Sequence, residues 1–164
     1  MSKFLLSVHV ILAILAVGPI AVAASMFPRY AQQLTTDGKD QDGHKDQDGN
    51  AAGVAGILHK ICRGYALFGI GVPVFGLATA VQLDALTDVW LIISIVLTAA
   101  AAAVLAMAIL PSQQRVLAVA GGTAEPGAPA VPASRLSMLT GIFNLLWTVV
   151  VILMIVRPGS TTGA

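Results

Sequence analysis

Charge is scarce in this sequence. Asp, Glu, Lys and Arg make up 10% of its 164 residues, against 57% hydrophobic ones, and the mean hydropathy is +0.86. Water-soluble domains carry about 25% charged residues. A fully water-facing surface cannot be assembled from this composition. A net charge of +1 gives no basic excess for a nucleic-acid partner. One cysteine, Cys62, excludes an intrachain disulfide and any CxxC metal or redox pair. Also missing are a nucleophile elbow, a glycine-rich phosphate loop, an HExxH zinc pair and a CxxCH haem attachment. Paired carboxylates inside the apolar runs, the usual mark of a proton relay, are missing too.

What is present is oil in four blocks. The uncharged runs cover residues 4–27, 64–83, 89–110 and 136–156. Each reaches the roughly 20 residues that a helix needs to cross a ~30 Å hydrocarbon core. Backbone polar groups have no water there, so each run must be helical. The expectation is an all-α integral membrane four-helix bundle, with antiparallel up-down spans at about 4–27, 57–83, 89–110 and 136–156. Pro111 reads as the stop of the third span, with "SQQRVLAVA" prolonging it along the membrane surface. "AVAAS" at 21–25 has the look of a signal-peptidase site. The preceding run is longer than a signal core of ~7–15 residues and contains His9 and Pro19, so the first span is read as retained.

Lys and Arg set the orientation. One side holds Arg29, Lys39, Lys45, Lys60, Arg63, Arg115 and Arg135, and the other holds Lys3 and Arg157. This predicts two long cytoplasmic loops and both termini outside, in a bacterial cytoplasmic (inner) membrane. The loops read as flexible linkers at 35–50 and 121–134. The first contains a doubled unit, "KDQDGHKDQDGN". An EF-hand needs oxygen ligands at positions 1, 3, 5 and 12 around a glycine at 6. With Gly43 at 6, positions 1 and 12 are Gly38 and Gly49; with Gly49 at 6, they are His44 and Ala55. Neither register works, so no metal site is assigned, and the unit is expected to be a solvated tether.

The candidate functional residues are the polar ones inside or beside the oil. His9, Thr79 and Ser94 lie at similar depth and are expected to form a polar layer near the outer face. Arg29, His59, Lys60, Arg63 and Arg115 form a basic rim at the cytoplasmic side, suited to lipid headgroups. His9 and His59 stand near opposite faces, too far apart to share one metal. Asn144, deep in the fourth span, is expected to hydrogen-bond across helices. Gly69, Pro73 and Gly76 share a face, with residues 99–103 of span three as its expected partner.

"FLLSVHVILAILAVGPI", "VWLIISIVLTAAAAAVLAMAILPSQQRVLA" and "LLWTVVVILMIVRPGS" together resemble the small integral membrane family called domain of unknown function 2269. The resemblance covers the four spans and neither long loop. A more distant likeness reaches copper-resistance D proteins and HemJ-type protoporphyrinogen oxidases. These also open with a first-span His followed by Pro-Arg, as His9 and "FPRY" do here. That likeness implies His9 as a haem ligand; the residues themselves predict no cofactor. Three readings of function follow. The first is a non-enzymatic membrane component, either a partner subunit or a small-ligand binder. The second is a haem- or metal-linked redox protein using His9. The third is a small oligomeric permease. The expected partners are the bilayer and a membrane protein or a second copy of the chain.

Overall fold

The computed structural model describes residues 2–36, 45–124 and 131–159. Among these, every regular element is helical. Helix α1 runs Ser2–Thr36, α2 Lys45–Gly69 and α3 Gly71–Gln82. Helix α4 runs Val89–Ala103 and passes through a π-helical turn, Val104–Ile109, into α5, Leu110–Ala120. Helix α6 runs Ala133–Val156. Joined end to end these make four rods long and apolar enough to cross a membrane: Lys3–Leu34, Asn50–Gln82, Val89–Ala120 and Ala133–Val156. The fold is the expected all-α bundle. Only 17–22% of each rod's most apolar window is buried inside the molecule. The outward faces are therefore lined with Ile, Leu, Val and Phe, among them Phe4, Leu67, Val89 and Ile155. Such a surface suits lipid, and the chain is a multi-pass membrane protein by this architecture.

Two prolines shape the rods. Pro73 lacks an N–H and crowds the carbonyl of Gly69, four residues earlier. The helix breaks there: Ile70 bonds back to the Leu67 carbonyl, three residues away, at 3.2 Å. Pro111, read as the stop of the third span, does not interrupt the rod. The helix continues to Ala120, as expected for "SQQRVLAVA", because the π-helical turn just before Pro111 widens the ladder around the missing donor.

Helix α1 packs along both α2 and α3 and along α6; α4 packs on α6, and α5 on α2. The main core lies toward the loop side, built from Ile20, Ala23, Ala24, Phe27, Ala55, Cys62, Ile109, Leu136 and Phe143. A smaller cluster of Ala80, Ala85, Trp90 and Leu91, with Met154 against it, closes the terminal side. There Arg157 ends α6 in the left-handed region (φ 44°), its N–H bonding the Leu153 carbonyl at 2.9 Å. Its guanidinium lies 5.6 Å over the Trp90 ring, and Trp90 Nε1 donates to Asp88 Oδ2 at 3.0 Å.

The linker expected over 35–50 is narrower in the described backbone. Residues 35–36 end α1 and 45–50 open α2, while 37–44 lie outside the described residues. Local propensity opposes a helix at 45–56, which contains Gly49, Gly53 and Gly56. Packing overrides it, because Ala51, Ala55 and Leu58 recur on one buried face toward α1. In the second linker, residues 121–124 turn away from α5, 125–130 lie outside the described residues, and 133–134 already belong to α6.

Candidate functional site

The polar residues resolve into two buried histidine joints, a set of outward cations and a seam between α1 and α6. The first joint ties α1 to α3. His9 is 7% exposed, and its Nδ1 lies 2.8 Å from the Val72 carbonyl oxygen. A carbonyl only accepts, so Nδ1 supplies the hydrogen of this bond. The imidazole fits because residue 76 is glycine. A Cβ at Gly76 would stand 2.8 Å from His9 Cε1 and 3.1 Å from Nδ1. A Cβ at Gly69 would meet nothing within 4 Å and Pro73 is exposed, so Gly69, Pro73 and Gly76 do not form one packed face, and Gly76 faces α1 rather than residues 99–103. A neighbouring contact agrees: a Cβ at Gly71 would meet Leu12 Cδ1 at 3.4 Å.

The other members of the expected polar layer bond elsewhere. Thr79 donates to the Phe75 carbonyl at 2.7 Å and Ser94 to the Trp90 carbonyl at 2.8 Å. Both are buried, and each hydroxyl closes on its own helix. The three residues thus share a depth in sequence without bonding one another among the described residues.

The second joint ties α2 to α5 and includes a residue that the sequence reading missed. Gln113 is fully buried. Its Nε2 donates to Cys62 Sγ at 3.7 Å, which turns Oε1 toward His59 Nδ1, 3.0 Å away. The imidazole must supply the hydrogen in that pair. His59 therefore leaves the rim and joins the interior. The signal for Gln113 was present: Ile109, Gln113 and Val116 fall at helical spacing, and all three are buried. Placing Pro111 as a stop hid it.

Arg29, Lys60, Arg63 and Arg115 are all exposed, as is Arg135. Each lies away from its helix's packed face. On α1, for example, Phe27 and Ala31 point inward on either side of Arg29. Counted at 1.5 Å per residue from the terminal-side helix ends, the five lie about 28–39 Å along their rods. That is the depth at which a ~30 Å core gives way to headgroups. Together they make a belt of exposed cations at the loop-side ends of the rods.

Asn144 bonds across helices as expected: its Nδ2 donates to Ser25 Oγ at 3.2 Å, and Ser25 donates to the Ala21 carbonyl at 2.6 Å. One turn away, Thr140 donates to the Ala24 carbonyl at 3.3 Å, another bond missed in the sequence. Trp147 packs edge-on to Phe143, with 6.4 Å between centroids, and its buried Nε1 has no partner among the described residues. No group of three or more His, Cys, Asp or Glu placed to hold a metal occurs among the described residues.

For the haem that the resemblance implies, the donor chemistry at His9 fits. An imidazole held through Nδ1–H by a carbonyl offers Nε2 to a metal. The room does not fit: the residue is almost fully covered, and the ring edge from Nδ1 through Cε1 to Nε2 abuts Gly76. Comparisons with protein-family models, curated proteins and solved structures found no match for this chain.

Proposed function

We propose that the chain is a non-enzymatic component of a bacterial cytoplasmic membrane, acting as a partner subunit or small-ligand binder. Both termini lie outside and the two long loops face the cytoplasm. The observation that carries this reading is that the buried histidines, Cys62, Gln113, Thr79 and Ser94 are committed to structural bonds. His9 holds α3, His59 and Cys62 meet through Gln113, and Thr79 and Ser94 close on their own helices. A catalytic histidine or thiol needs a reachable face, and these are buried. The orientation is supported by the cation belt on the loop side, which suits the anionic cytoplasmic leaflet.

A second reading, a haem- or metal-linked redox protein, is favoured by one observation, the carbonyl that holds His9 through Nδ1, the arrangement in which metal-ligating histidines are commonly fixed. Purification from native membrane in mild detergent separates the two. The leading reading expects a colourless, metal-free protein together with stoichiometric membrane partners or a bound small molecule. A Soret band that His9→Ala abolishes would replace it with the redox reading. The third reading, a small oligomeric permease, rests on span number alone.

A further inference from the structure

Asn144 sits midway along α6, about 17 Å from either end at helical rise. That is the depth at which a polar side chain facing lipid is most costly. Asn144 is only part-buried, and Ser25, Ser137, Gly141 and Thr148 around it are exposed. The Ser25 hydroxyl spends its hydrogen on Ala21, so it takes one N–H from Asn144. The second N–H and Oδ1 of that carboxamide have no partner among the described residues. Ser137, Gly141, Asn144 and Thr148 recur at helical spacing on one face. A Cβ on Gly141 would meet nothing within 4 Å, so that face is open.

We infer that this face of α6 receives the same face of a second copy of the chain, the two Asn144 carboxamides exchanging N–H···O=C bonds across a two-fold axis. Three features select a second copy. An amide carries both a donor and an acceptor, so two of them related by a two-fold complement each other. The stripe bears no charge, so identical faces do not repel. Gly141, one turn from Asn144, lets the backbones approach closely enough for the short side chains to meet. The inference rests on the multi-pass reading and adds the partner.

The test uses the full chain reconstituted in vesicles and labelled for energy transfer, with the protein diluted progressively into lipid. Extraction with alkaline carbonate comes first: release from the vesicles would overturn the membrane reading itself. Retention with no transfer at any protein-to-lipid ratio would overturn the dimer alone. The expected result is transfer that falls on dilution, with Asn144→Leu weakening association roughly 3- to 30-fold, the range set by ~0.6–2 kcal/mol for such bonds in membranes. Ser25→Ala frees the shared N–H without touching the proposed contact, so association should persist. If Ser25→Ala dissociates the pair as fully as Asn144→Leu, the carboxamide is only an α1–α6 clamp and the proposal fails. A different membrane span seated stoichiometrically on this face would also overturn it.

Discussion

The two histidine joints solve one problem in different ways. Each buries an imidazole between helices, and each satisfies Nδ1–H with an oxygen from the neighbouring helix. His9 uses a backbone carbonyl, Val72, one residue before the Pro73 that breaks the rod, and it depends on the missing side chain at Gly76. His59 uses a side chain, Gln113, which is shared with Cys62. The surroundings differ too. His59 and Cys62 sit on the face of α2 that builds the main core, while His9 stands in the more sparsely packed terminal half. The first joint is set by shape and the second by matching donors to acceptors. Shape tolerates no added atom at Gly76; matching tolerates no missing partner at Gln113.

Substitutions should separate the two. Gly76→Val is expected to be the most damaging, because its Cβ would overlap His9 and the branched side chain cannot rotate clear. Overpacking of this kind costs about 1–3 kcal/mol or more. Gly71→Ala, whose Cβ makes an ordinary contact with Leu12, should sit near the parent. Thermal unfolding in one detergent compares them, and equal midpoints would remove the shape argument. Gln113→Leu should cost somewhat less, about 1–2 kcal/mol, by stranding the His59 donor. The double variant His59→Leu, Gln113→Leu should recover much of that loss, since both ends of the pair are then apolar. A double variant as unstable as the sum of the singles would show that the bond is not what couples α2 to α5.

The comparison also explains what the sequence could reveal. Span number and helicity follow from bilayer thickness and hydropathy, and both were legible. Asn144 was legible as a cross-helix donor because a carboxamide in oil has few alternatives. The joint at His9 was half legible. The histidine stood out, but its partner is a backbone carbonyl, and no residue type announces one. Gln113 was obscured by Pro111, which reads as a stop until a π-helical turn is seen to absorb it. The start of α2 was hidden for another reason. Alanines at 51 and 55 carry little hydrophobic signal alone, and the value of Ala55 appears only in one cluster with Ala24, Phe27 and Ala31 of α1.

The assigned depths and the side of the cation belt depend on which way the four rods cross the membrane. Single cysteines at Asp84 and at Thr123, each in a Cys62→Ala background, report this directly in intact cells treated with an impermeant maleimide. The prediction is that residue 84 labels at once and residue 123 labels only after the membrane is opened. Labelling of 123 in intact cells with 84 protected would contradict it, turning the cation belt to the outer face.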